Sequence, residues 1–233
     1  MPRYWLRCIG CGAEYPGSAR VYSCPACGDL LDIVYDMDRE VSEIPWLRNF
    51  ESRPLGVWRY RELLPVEDYR HVVSMNEGGT RLIRCRNLER ELGIKEIYVK
   101  YEGDNPTGSF KDRGMTVGVT KAVEAGAEMT ICASTGNTSS SLAAYSARAG
   151  LGCAVLVPSK RIALGKLSQA LIHGAKVLAV RGNFDDCLRI VRELSRDPRF
   201  YLLNSINPFS FVFKQKTAYE IYEQLGGDIP DYL

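Results

Sequence analysis

From His71 onward, short apolar runs rich in β-branched residues alternate with stretches of helical period, and this alternation narrows the fold more than any other feature of the chain. The runs fall at 97–101, 129–133, 153–157, 176–180 and 200–204, and helical patterns lie near 110–125, 138–149, 163–173 and 184–196. Gly126, Gly150 and Gly174 stand where C-terminal helix glycines belong, and Asp197-Pro198 closes the fourth helix. Strand–helix–strand repetition needs crossover connections, so the expected fold is α/β, an open parallel sheet flanked by helices.

Ahead of this unit, Cys8-x-x-Cys11 and Cys24-x-x-Cys27 are separated by twelve residues, and each pair is followed by a glycine, Gly12 and Gly28. A tetrahedral zinc site needs four soft donors presented by two tight turns, and such turns need residues that tolerate positive φ. Structural zinc on Cys8, Cys11, Cys24 and Cys27 is therefore expected, with lost metal or thiol redox chemistry as the alternatives. Tyr15, Val21 and Tyr22, then Leu30, Leu31, Ile33 and Val34, suggest short strands, so residues 1–35 read as a zinc-ribbon-like module. Residues 36–70 carry Pro45, Pro54 and Pro65 among mixed charges and read as a connecting arm of short helices, leaving 71–233 for the α/β domain.

The formal charge of +2, with Lys and Arg scattered among Asp and Glu, announces no phosphate-tracking surface, and no basic and aromatic cluster surrounds the ribbon. Nucleic acid is not an expected partner. The N-terminus lacks an apolar leader, no run is long enough to span a bilayer, and Cys85, Cys132, Cys153 and Cys187 lie singly in apolar contexts. A cytoplasmic protein without a membrane partner is the expectation.

Two loops carry chemistry. After the run ending near Tyr101 the chain turns through Gly103 to Gly108 and enters a helix whose first turn holds Lys111. Open α/β sheets bind ligands beyond the C-terminal ends of their strands, and burial against Phe110 with Arg113 nearby would favour a neutral, nucleophilic amine. A solvated lysine paired with Asp112 is the plainer alternative. The second loop, Ser134-Thr135-Gly136-Asn137-Thr138, again follows an apolar run and opens a helix. Its glycine permits close backbone approach, and hydroxyls beside helix-start N–H groups suit a carboxylate or phosphate. Alone it is equally an elaborate helix cap.

Taken together, PTGSFKDRG (106–114), EGGT (77–80) and STGNTSSSLAAY (134–145) closely resemble threonine synthases, members of the fold-type II pyridoxal phosphate (PLP) enzymes, as do the ribbon, IALGKLSQALIHGAKV, GNFDD and NSINP. The resemblance implies that Lys111 binds PLP as a Schiff base and moves protons, and that Asn137 hydrogen-bonds the cofactor's phenolic oxygen. It implies further that Ser134, Thr135 and Thr138, helped by Asn204 and Ser205, hold the substrate's carboxylate and phosphate. The implied reaction turns O-phosphohomoserine and water into threonine and phosphate, in a homodimer when full-length. A cysteate-synthase-like or other β-replacement or elimination enzyme acting on O-phosphoserine would share Lys111 and Asn137. A zinc-binding fragment without catalysis is the reading from another class.

The family's glycine- and asparagine-rich cofactor-phosphate loop is expected beyond Leu233, so the chain reads as the N-terminal part of such an enzyme, its α/β domain incomplete at the C-terminus. Ser210 stands where the family has an arginine expected to bind substrate phosphate, and Arg81 where EGGT is usually followed by proline. Residues 214–220, KQKTAYE, also coincide with the translation of a common sequencing-adapter string, although Gln215-Lys216-Thr217 is itself family-like.

Overall fold

A computed structural model of the chain describes residues 4–36, 50–159, 164–210 and 213–233. The N-terminal strands β1 (Tyr4–Cys8), β2 (Glu14–Pro16) and β3 (Leu31–Tyr35) form an antiparallel sheet in the order β2-β1-β3, with Leu6 opposite both Tyr15 and Ile33. Period-two alternation buries Leu6, Cys8, Leu31 and Ile33 on one face. That face does not form a core by itself: it joins Val57, Leu64 and Val66 of the arm, Val117 of a later helix, and Phe209. Val21 and Tyr22, expected in a ribbon strand, lie outside any strand. In the described part of the arm the chain forms 3-10 helices at Val57–Leu63 and Tyr69–His71; Pro45 lies outside the described residues.

The next elements are β4 (Leu82–Arg84), α1 (Arg86–Leu92) and β5 (Tyr98–Lys100). Here the structure corrects the sequence reading. The run at 97–101 is not a strand of the parallel sheet; β5 pairs antiparallel with β4 in a separate two-stranded sheet, Ile83 opposite Val99. Val99 and Ile83 are both exposed, whereas strands inside a parallel sheet are covered on both faces.

Then follow α2 (Lys111–Glu124), β6 (Met129–Ala133), α3 (Asn137–Ala149), β7 (Gly152–Pro158), α4 (Leu164–Ile172), β8 (Lys176–Val180), α5 (Phe184–Leu194), β9 (Phe200–Leu202) and α6 (Phe213–Gln224). Strands β8-β7-β6-β9 make the expected open parallel sheet. Its two faces can be read from alternate residues of the central strands. Cys132, Val155 and Val157 pack with Met115, Leu142 and Leu167 of α2, α3 and α4, while Ile131, Ala133, Ala154 and Leu156 pack with Cys187 and Val191 of α5.

The strand order contains one reversal. The chain moves outward from β6 to β7 to β8, then crosses the opposite face through α5 and returns to the other side of β6 as β9. Loops leaving the neighbouring strands β6 and β9 lie side by side at the C-terminal edge of the sheet, next to this reversal, the place where open α/β sheets take ligands. Those two loops contain Ser134 to Thr138 and Asn204-Ser205.

Candidate active site

At the end of β6 the ladder continues one step, Ser134 N–H donating to Leu156 O (3.2 Å), before the chain turns into α3. Gly136 is the residue before the helix, with φ −132° and ψ −149°, and a Cβ built on it meets no atom within 4 Å. Ser134 Oγ accepts from Gly136 N–H (3.2 Å), while Ser139 donates to Gly136 O through both its N–H (3.0 Å) and its hydroxyl (2.6 Å). The next first-turn N–H groups, of Asn137 and Thr138, have no carbonyl to meet inside their own helix and stand at the positive end of its dipole, directly after Gly136. Thr135 and Thr138 are half-buried there.

Lys111 occupies the first turn of α2, half-buried, its Nζ 4.7 Å from the centroid of the Phe110 ring. Asp112 is no solvated partner: it is fully buried, accepting from Thr107 N–H (2.6 Å), Thr107 Oγ1 (2.6 Å) and Ser141 Oγ (2.5 Å). Burial pushes its carboxyl upward, and the Ser141 and Thr107 bonds oppose that. Ser141 lies one helical turn after Asn137, so this carboxylate ties the turn that precedes Lys111 to the start of α3. Two loops far apart in sequence thus become one wall. Gly108, at φ +72°, lets that turn reverse direction where a side chain would be strained.

Beneath the wall lies a buried charge network. Arg113 is enclosed by Glu102 (Nε to Oε2, 2.7 Å) and Glu220 (Nη1 to Oε1, 2.6 Å), and also donates to Thr80 Oγ1 (3.0 Å). Its charge is answered there rather than directed at Lys111. Glu220 also accepts from Lys100 Nζ (2.9 Å) and Gly79 N–H (3.0 Å). Burial alone would push Glu220 up, but Arg113 outweighs it and holds the carboxyl below its ordinary range. Glu77 receives Trp58 Nε1 (2.9 Å), Met75 N–H (2.9 Å) and Tyr145 Oη (2.7 Å). The EGGT segment is thereby fixed against α2, α3 and α6. Where proline was expected, Arg81 N–H and guanidinium bond Asp104, a use of the backbone that proline could not make.

After β9, Asn204 Oδ1 accepts from Ala133 N–H and its Nδ2 donates to Ala133 O, both at 2.8 Å. The amide is committed to the backbone at the end of β6, so in this arrangement Asn204 joins the two neighbouring loops. Ser205 beside it is exposed. Ser210 donates to Asn207 O (2.8 Å) and Asn204 O (3.3 Å), closing this loop on itself. Phe211 and Val212 lie outside the described residues.

The four ribbon thiols converge, all within 4.8 Å of one another, with Cys8 and Cys27 Sγ 3.4 Å apart and Cys11 and Cys24 Sγ 3.6 Å apart. Tetrahedral zinc at about 2.3 Å from each sulfur separates the sulfurs by about 3.8 Å, so the donor set fits such an ion. The Tyr15 hydroxyl lies 3.2 Å from Cys24 Sγ and lowers that thiol, while the neighbouring thiols raise Cys27, so without a metal the cluster shares its protons unequally. By contrast Cys132 and Cys153 are buried, and burial pushes both thiols up, Cys153 to about 11, as suits inert packing.

A family model described as "Pyridoxal-phosphate dependent enzyme" matches residues 73–233. The chain belongs to this family. Among curated relatives of this PLP-dependent chain, threonine synthase of Methanocaldococcus jannaschii is 56% identical over 225 residues, 97% of this chain and 55% of that protein. Threonine synthase of Methanosarcina acetivorans is 51% identical over 230 residues, 99% of this chain and 56% of the relative. The chain thus spans about half the length of the curated relatives it matches. Among solved structures, Escherichia coli diaminopropionate ammonia lyase in apo form superposes with a TM-score of 0.61 at 18% identity, over 69% of this chain and 52% of that one, which speaks for the fold alone. A hydrogen sulfide-producing enzyme of Fusobacterium nucleatum gives a TM-score of 0.55 at 26% identity, over 64% and 51%.

The residues present fit the family's cofactor. Asn137 Oδ1 is buried without a hydrogen-bond partner, in the first turn of α3, and Gly136 beside it opens onto unfilled space. A buried amide left unpaired costs free energy unless a ligand meets it. A lysine amine, an anion-suited helix start and that orphaned amide oxygen have the chemistry to meet an aldehyde and anionic or hydroxyl groups of such a cofactor. Sequence reasoning missed the frame: Asp112, Glu102, Tyr145 and Glu220. Asp112 stood inside a recognised motif, but Glu220 meets Arg113 across 107 residues, and no local pattern signals such a pair.

Proposed function

We propose that this chain contributes the Lys111 side of a threonine synthase site, converting O-phosphohomoserine and water into threonine and phosphate. The observation that carries the reading is the 56% identity to a threonine synthase over 97% of the chain, a span that includes the loops leaving β6 and β9. When bound, PLP supplies an electron sink for carbanionic chemistry at the substrate's carbons. Lys111 Nζ would hold the cofactor and would take and return protons at the substrate's Cα and Cβ. Asn137 would hydrogen-bond the cofactor's phenolic oxygen. Ser134, Thr135 and Thr138, with the helix-start N–H groups, bind carboxylate and phosphate, and Ser205 extends that surface. Asn204 orients the loop through Ala133.

We further assign residues 1–35 to a zinc-ribbon module with structural Zn on Cys8, Cys11, Cys24 and Cys27, 36–70 to the arm and 71–233 to the PLP domain. The full-length enzyme is a cytoplasmic homodimer on this reading. Among the described residues no helix is long and apolar enough to cross a membrane.

The test begins with the cofactor. Incubation with PLP followed by borohydride reduction and peptide mapping is expected to fix the cofactor on Lys111, and K111A to abolish the adduct. A folded chain that gives no adduct leaves the non-catalytic zinc-binding reading. Phosphate release from O-phosphohomoserine supports the proposal, and sulfite-dependent release from O-phosphoserine alone replaces it with a cysteate-synthase-like one.

A further inference from the structure

Strand β9 is the edge of the parallel sheet, and it is only three residues long. So short an edge has few ladder bonds to hold its position, and its outward N–H and C=O groups need cover. The ribbon supplies it. Tyr22 Oη accepts from Leu202 N–H (3.1 Å), and the Arg20 guanidinium donates to Phe200 O and Pro198 O. The Tyr22 ring stands edge-on to Tyr201, centroids 5.7 Å apart, and the Arg20 guanidinium lies 5.2 Å over the same ring. These contacts join residues about 180 positions apart, from a segment that ends two residues later in Cys24.

On the inner side, β9 pairs with β6, Leu202 opposite Ile131, and Leu203 N–H donates to Ile131 O (2.9 Å). One residue further, Asn204 grips Ala133 with both ends of its amide, and Ala133 leads directly into Ser134. A shift of β9 along β6 would pull Asn204 away from Ala133 and release the loop from its far side. We propose that Arg20 and Tyr22 are positioning residues: the ribbon acts as a clip on the outer edge of β9 that sets the anion loop 134–138 through Asn204. The functional meaning of the clip rests on the reading of that loop as an anion site, whereas the mechanical coupling does not.

Backbone amide exchange in the zinc-loaded chain, followed by NMR, separates the two. In Y22F the Leu202 amide loses its acceptor and is expected to exchange about tenfold faster. The Ala133 amide, bonded to Asn204, is expected to accelerate with it, while amides of β8 on the opposite edge keep their protection. R20A should reproduce the pattern; should it not fold, R20K, which keeps the charge and loses the two-carbonyl fork, takes its place. The affinity for inorganic phosphate is expected to fall in parallel with Ala133 protection. Acceleration at Leu202 without Ala133, or uniform acceleration across all strands, overturns the proposal. Failure of Lys111 to take up PLP would overturn the proposed function and leave the exchange pattern standing.

Discussion

Arg113 is the largest fully buried side chain among the described residues, and its two carboxylate partners come from either side of it in sequence, Glu102 and Glu220. Removing one member of a buried ion pair strands the other in low dielectric, so E220A is expected to lose about 3–5 kcal/mol in urea unfolding, and R113M/E220L to recover part of it. The pH dependence has a defined sign. Glu220 is held below its ordinary range in the folded chain, so its contribution is complete above about 4.3 and is lost as pH falls through the lower folded value. The acid limb of stability should therefore be shallower in E220Q. The fit of Glu220 into this network also argues that 217–220 is native sequence, since an inserted adapter has no reason to supply a carboxylate for Arg113. Ser210 offers a gain-of-function test: with no charge there to meet a phosphate, S210R is expected to tighten inorganic phosphate binding about tenfold by calorimetry, and unchanged affinity would show that position 210 does not face the anion.

At the scale of elements, strands β6 to β9 and helices α2 to α5 follow from local sequence. Gly150 at φ +70° ends α3, and Asn183 with Asp186 forms a reciprocal cap at the start of α5. What local sequence lacked was pairing: the alternation that marks β5 as a strand does not say which sheet receives it. The same division applies to the loop at Gly136. Its Cβ would meet nothing within 4 Å and its φ is negative, so G136A should leave thermal stability within about 0.5 kcal/mol of the parent. The added methyl fills the space a ligand anion would enter, so uptake of PLP or phosphate should fall at least about tenfold. Unimpaired uptake would place the ligand elsewhere. D112A makes the opposite prediction: it removes three hydrogen bonds in a buried position and should cost about 3 kcal/mol, freeing the Lys111 turn from α3.

For the whole molecule, the ribbon is not a separate body, because Leu6, Leu31 and Ile33 share one apolar cluster with the arm, α2 and Phe209. Stripping metal from the four thiols should therefore lower the midpoint of a single unfolding transition in calorimetry, and a separate early ribbon transition would contradict that continuity. The sequence by itself determined strands β6 to β9, helices α2 to α5, the four clustered cysteines and the two loops with their lysine and hydroxyls, because caps, glycines, periodicity and ligand spacing act over a few residues. Only the tertiary structure decided that β5 leaves the sheet, that Asp112 meets Ser141 and Asn204 meets Ala133, that Glu220 answers Arg113, and that Arg20 and Tyr22 turn from the ribbon to the edge of β9. Those are choices of partner across dozens to hundreds of residues, and they are settled by packing and by the cost of leaving a buried charge or amide unpaired, which no local pattern records.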